Sequence, residues 1–317
     1  MRSLLKWTLR AVAMLILAAA VLGVWKREEI TRLLAVNSLF AEEKIVGNFS
    51  AMDRLFLTTP MARGDGPVSP LPAGPAMSPP EGMDDWIAER AVTALVVLKD
   101  GAIRHESYHL DTTSMDRRIS WSVAKSYLSA LMGIVLEEGA IDSLDDPVTR
   151  YAPELAGSAY DGASILNVLQ MASGVTFDED YLDFNSDINR MGRVLALGQS
   201  MDGFAAGLTE TFVEPGRQWQ YVSIDTHVIG MVIRGATGRS IPDLMQEKLI
   251  APMGLEADPL YITDGLGTAF VLGGLNLTTR DYARFGQMLV DSHPKRKFCI
   301  KTECCMEDVE WDAATLT

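Results

Sequence analysis

The chain is poor in thiols. Its three cysteines, Cys299, Cys304 and Cys305, all lie within the last nineteen of 317 residues. The rest therefore has no thiol for a disulfide, a thiolate metal site or cysteine catalysis. Histidine is scarce, at positions 105, 109, 227 and 293, and neither H-E-x-x-H nor C-x-x-C occurs. No metal and no cofactor is expected. Basic charge is in deficit: 28 Lys and Arg against 42 Asp and Glu give a net charge of −14. That excludes the basic footprint with which proteins neutralise nucleic-acid phosphates. A G-x-S-x-G elbow is also missing, and His227 falls in an apolar helical stretch where a core or surface histidine is the simpler reading, so a Ser-His-Asp hydrolase is disfavoured.

What is present is apolar and segmented. At 48% hydrophobic residues the chain can bury one large core or two modest ones. Residues 1–25 place Arg2, Lys6 and Arg10 ahead of fifteen uncharged residues, 11–25, which reads as a signal peptide or a membrane anchor. Ala18-Ala19-Ala20 offers a cleavage point. The basic flank is N-terminal, so the remainder should be exported, at the periplasmic or extracytoplasmic face of the membrane. Residues 26–84 form a short helix and then an arm: positions 57–83 hold seven of the 14 prolines, an extended spacer from the membrane or a strap laid over the domain. The domain proper is expected over 85–290. It opens with a hairpin, residues 93–99 and 102–110 about a tight Asp100-Gly101 turn, so the sheet is at least partly antiparallel.

The most informative stretch is 119–140, ISWSVAKSYLSALMGIVLEEGA. Ser120 or Ser122 can start a helix there. Ala124, Leu128, Leu131, Met132, Val135 and Leu136 then recur at helical spacing until Gly139. Ser122 and Lys125 share one face, about 5–6 Å apart at Cβ. In the opening turn, unpaired N–H groups and the positive end of the helix dipole favour a developing negative charge at Ser122. S-x-x-K also occurs at Ser3/Lys6, within the leader, and at Ser292/Lys295, where Pro294 spoils a helical pairing. Taken alone, Ser122/Lys125 also fits an N-cap serine beside a snorkelling lysine.

Further motifs follow in order. Leu144-Asp-Asp-Pro-Val-x-x-Tyr151-x-Pro153 is a turn-rich connector, and residues 163–174 read as a helix ended by Gly174, with Leu169-Gln170-Met171-Ala172-Ser173 before it. An acidic loop, 177–187, ends at Asp187. Pro215-Gly216-x4-Tyr221-Val-Ser223 leads into an apolar helix that stops at Gly235 or Gly238, and Pro252-Met-Gly254-Leu255 comes next. Together, over roughly residues 85–290, these resemble serine hydrolases related to class C β-lactamases and penicillin-binding proteins, nearest the branch of carboxylesterases and 6-aminohexanoate-dimer hydrolases.

The resemblance implies an α+β fold, an antiparallel sheet flanked by helices with a mostly helical subdomain between residues 141 and 208. It implies Ser122 as nucleophile, Lys125 as its base and Tyr221 as proton shuttle. Ser223, Asp187, Gln170, Gly273 and Gly274 are the candidate substrate contacts. The implied substrate is a small ester or amide; Tyr-Val-Ser replaces the Tyr-x-Asn of many relatives, which weakens a claim of β-lactam turnover. Ser122 N–H would give one oxyanion donor, and a third motif of Lys-Thr-Gly or His-x-Gly type the other. That motif is missing, and residues 291–317 change character, as a truncated or frameshifted tail would. The alternative is therefore a catalytically impaired relative that binds acyl or cell-wall peptide ligands.

Overall fold

The computed structural model describes residues 2–292. Most of the atypical tail, residues 293–317 with all three cysteines, lies outside the described residues.

Helix α1 (Arg2–Trp25) and helix α2 (Arg27–Asn37) follow each other with one irregular residue between them. Lys26 N–H donates to Leu22 O at 2.8 Å and Ile30 N–H to Lys26 O at 3.0 Å, so the backbone ladder carries across the joint. Over residues 6–25 α1 is long and apolar enough to cross a membrane, and it is not buried by the rest of the chain. Beyond α2, short helices at Ile45–Phe49 and Met52–Leu55 lead into strand β1 (Thr58–Pro60). Leu39, Met52, Phe56 and Met61 from this lead belong to the same apolar core as the central helices.

The proline-rich arm is a strap. β1 pairs antiparallel with β5 (Leu260–Ile262), Ser69 N–H donates to Gly254 O at 2.8 Å, and Gly74 N–H to Ile103 O at 2.9 Å. Pro60 is tolerated because β1 is an edge strand, where a missing N–H need not break a ladder. The hairpin forms where expected, as β2 (Ala94–Lys99) and β3 (Ala102–Tyr108). Asp100 and Gly101 both take positive φ, 55° and 74°, the geometry of a two-residue turn matched to strand twist. A bulge between Val97 and Leu98 shifts its register. The second sheet is wholly antiparallel, in the order β1-β5-β6-β4, with β4 at Arg118–Ile119 and β6 at Leu275–Leu277.

Helix α3 (Ala124–Glu137) buries Ala124, Tyr127, Leu128, Leu131, Met132 and Val135, the anticipated stripe with Tyr127 added and Leu136 only half-buried. Tyr127 stacks on Phe285 at 3.7 Å between centroids; Phe285 lies on helix α8 (Thr279–Ser292). The subdomain between residues 141 and 208 is helical, with α4 (Ile165–Leu169), α5 (Asp187–Ala196) and α6 (Met201–Ala206). α4 ends five residues short of Gly174, because Met171 already turns to φ 53°. Its start is a capping box between Ser164 and Asn167. The longest buried run is not in α3 but in α7 (Ser223–Thr237), in which every residue from Ser223 to Ile233 is buried. Helices pack against it on several sides, which is why its sequence shows no polar face. Gly238 ends it in a left-handed conformation, φ 65°.

Candidate active site

Ser122 lies in a 3-10 turn, Trp121–Val123, that runs into α3. Neither Ser120 nor Ser122 caps the helix through its side chain; Ser120 Oγ instead donates to Trp121 O at 3.1 Å. The preceding residue, Trp121, is held at φ 43°, a conformation that costs a bulky residue of order 1–3 kcal/mol. It is clamped by the N-terminal lead: Phe40 stacks on its ring at 5.5 Å and Phe49 meets it edge-on at 5.5 Å. Arg118 in turn holds that lead, donating to Val46 O at 2.7 Å and Ser50 Oγ at 2.6 Å.

Three side chains converge. Ser122 Oγ and Tyr221 Oη are 2.8 Å apart, and Lys125 Nζ donates to Ser122 Oγ at 3.3 Å and to Leu272 O at 2.8 Å. Lys125 also sits 5.5 Å from the Tyr221 ring centroid. Burial pushes the Lys125 amine below the ordinary lysine range, partly opposed by negative charge at Tyr221 and Glu179. For Tyr221, burial acts to raise the phenol, but the Ser122 hydrogen bond and the Lys125 charge outweigh it, and the net shift is downward. Both shifts bring a base and an acid toward neutral pH, as proton transfer requires.

The other candidate contacts separate. Ser223 and Gly273 line the same cavity as Ser122 and Lys125, of about 490 Å³. Gly273 N–H and Gly274 N–H both donate to Phe270 O, at 3.2 and 2.7 Å, so neither amide is directed at Ser122, and Gly274 does not border the cavity. Asp187 does not reach it either. Its carboxylate accepts from Asp178 N–H at 3.0 Å and Arg190 Nη1 at 2.7 Å, which ties the acidic loop to α5. Gln170 is exposed at the end of α4. The loop around it still matters: Gly216 N–H donates to Ala172 O and Gln220 N–H to Met171 O, at 2.7 and 2.9 Å, fixing the approach to Tyr221. Among the described residues no cluster of His, Cys, Asp or Glu is arranged as metal ligands.

Two residues escaped sequence reasoning. Glu179 of the acidic loop accepts from Ser223 N–H at 2.5 Å and Ser223 Oγ at 3.2 Å, supplying from 44 residues away the cap that Val222 cannot give α7. Asp225, one turn beyond Tyr221, is fully buried. Its Oδ1 accepts from Tyr160 Oη at 2.7 Å and Ser173 Oγ at 3.0 Å, while Oδ2 has no partner. Burial pushes its carboxyl up to about 7 in spite of those two bonds. An unfolded aspartate titrates near 3.9, so between about pH 4 and pH 7 the folded state keeps a proton that the unfolded chain has lost. Stability is therefore lost as pH rises through that window. Unfolding of the protein and of Asp225→Asn, compared from pH 4 to 8, should show the unsubstituted protein losing ground by about 1.4 kcal/mol per pH unit in mid-window. A difference independent of pH would mark Asp225 as an ordinary carboxylate.

An antiparallel sheet flanked by helices, with a helical subdomain beside it, is a β-lactamase-type fold, and its cavity is bordered by a serine and a half-buried lysine one helical turn apart. Residues 84–298 match the Beta-lactamase family model, more than half of the 317 residues, and the chain belongs to that family. It is 33% identical over 214 residues to 6-aminohexanoate-dimer hydrolase of Paenarthrobacter ureafaciens, covering 66% of this chain and 54% of that one. It is 26% identical over 136 residues to a beta-lactamase of Pseudomonas fluorescens, covering 43% and 34%. The chain thus spans about half the length, or less, of the curated relatives it matches. In structure it is similar to a Bacillus anthracis protein assigned by name to the 6-aminohexanoate-dimer hydrolases, with a TM-score of 0.71 at 20% identity over 80% of this chain and 71% of that one; this likeness concerns the fold.

Proposed function

We propose that this chain is a membrane-anchored serine hydrolase that cleaves an ester or amide through an acyl-serine. The observation that carries the reading is the convergence of Ser122, Tyr221 and Lys125 at 2.8 and 3.3 Å. A serine hydroxyl is a poor nucleophile until a base takes its proton. Lys125, its pKa depressed by burial, has a larger neutral fraction near pH 7 than an exposed lysine and accepts that proton directly or through Tyr221. Ser122 Oγ then bonds to the carbonyl carbon, and the carbonyl electron pair moves onto oxygen, where the Ser122 N–H can meet it. Collapse breaks the bond to the alcohol or amine, which leaves with the proton relayed by Tyr221. Water attacks the acyl-serine by the reverse relay, releasing the acid and restoring the hydroxyl. The apolar α1 with its N-terminal basic flank supports anchoring, with the domain at the extracytoplasmic face.

The test is a fluorophosphonate probe on the detergent-solubilised full chain, with the labelled peptide mapped. Label should fall on Ser122, in protein recovered from the membrane pellet. Its rate should rise with pH and level off at a lower pH than an exposed lysine would set, because burial depresses the base. Label on another residue, or none, would overturn the reading.

A further inference from the structure

The cavity that Ser122 and Lys125 border is apolar, and part of its wall is the continuation of the apolar helix. Leu39, Phe40 and Phe49 come from the lead that follows α2, Met191 and Leu195 from α5, and Phe270 from the loop before β6. Arg32 Nε donates to Ala196 O at 2.8 Å, fastening α2 to the end of α5. Val36, the first residue of the wall, lies eleven residues beyond Trp25, about 16 Å along a backbone ladder that carries across the joint at Lys26. The rim is apolar too. Tyr181 and Phe40, which both border the cavity, are 59% and 57% exposed, and Leu182, next to Tyr181 in the chain, is 96% exposed. Exposed aromatic and aliphatic side chains around an apolar cavity mark a site that meets apolar surface rather than water.

Building on the serine hydrolase reading, we propose that the substrate is an amphiphilic, lipid-type ester taken from the membrane, with its long unbranched acyl chain held in this cavity. Orientation follows from the triad. Tyr221, which returns the proton to the leaving group, does not line the cavity, whereas Ser122 does. The leaving group therefore lies on the Tyr221 side, and the acyl chain on the side of Leu39, Phe40 and Phe49. The preference is thus for the acid part of the ester, not for its alcohol.

Gly192 makes the idea testable. It borders the cavity from the middle of α5, and a Cβ added there would meet nothing within 4 Å. A larger residue both fills the cavity and improves the helix, so Gly192→Leu should fold; Gly192→Met, more pliable, is the second variant.

The assay uses the detergent-solubilised full chain with p-nitrophenyl esters of acids from acetate to dodecanoate, and in parallel with acetate esters of alcohols of the same lengths. kcat/KM should rise by roughly 2–4-fold per methylene along the acid series, the burial of a CH₂ being worth about 0.8 kcal/mol. It should stay flat along the alcohol series. Gly192→Leu and Gly192→Met should each lower the ratio of dodecanoate to acetate turnover at least tenfold. If Ser122 takes the fluorophosphonate label but acetate is cleaved as well as dodecanoate, or if neither variant changes the ratio, the acyl-chain proposal fails and the hydrolase reading survives. If Ser122 takes no label and no ester is cleaved, both fail.

Discussion

Replacing Ser122 by alanine should abolish both fluorophosphonate labelling and ester hydrolysis, a loss on the order of 10⁴-fold or more. Alanine removes one oxygen from an exposed position in a turn, so the fold should be untouched. Lys125→Ala should cost nearly as much, since it removes both the amine that takes the serine proton and the charge that lowers the Tyr221 phenol, leaving the Ser122 hydroxyl bonded only to an ordinary phenol. The double variant should be no worse than Ser122→Ala alone, because residues acting as one unit do not give multiplicative losses. Tyr221→Phe keeps the ring and removes the relay, for a smaller fall of about 10²–10⁴-fold. The check is kcat/KM for one ester across all four variants. Activity that persists in Ser122→Ala, or losses that multiply, would refute a serine-lysine unit.

The largest effect on stability is expected at Gly235. In an open helix, Gly→Ala stabilises by about 1 kcal/mol. At Gly235 the added Cβ would come to 1.7 Å from the backbone O of Tyr151 and 2.7 Å from its C, where α7 passes directly beneath the connector. A backbone carbonyl cannot swing aside as a side-chain tip can. Tyr151 is further fixed by Asp142 N–H donating to its Oη at 2.9 Å and by that hydroxyl donating to Asp146 at 2.9 Å. Gly235→Ala should therefore destabilise by about 3 kcal/mol or more, read as a fall in the unfolding midpoint of the full chain. Gly286→Ala is the matched control: it is exposed on α8 with nothing within 4 Å of the new Cβ, and it should be neutral or stabilising. Equal effects at the two positions would mean that the connector is not packed against α7.

The motifs were legible because their signals are local. Ser122 and Lys125 are three apart on a helix whose apolar stripe is visible in sequence, and Asp100-Gly101 announces its own turn. Tyr221 was found by motif order, since nothing in its neighbourhood points across 99 residues to Ser122. What stayed hidden is long-range. β1 is three residues, one of them Pro60, and its partner β5 lies some 200 positions on; neither has the length to show alternation. Glu179 looked like one acid among several in a loop, and only its reach to Ser223 sets it apart. Asp187 and Gln170 were attractive by position, but the first is satisfied within its own loop and the second faces solvent.

The clamp on Trp121 has a practical corollary for anyone seeking a water-soluble version. Cutting the chain near Lys26 removes the apolar helix and leaves Phe40 and Phe49 against the Trp121 ring. Cutting it near Ala51 also removes the apolar helix but strips one wall from the cavity and frees the residue next to Ser122 to relax out of its left-handed backbone. A version that keeps residues 26–50 keeps the clamp on Trp121 and their share of the cavity wall; one that begins at Ala51 keeps neither.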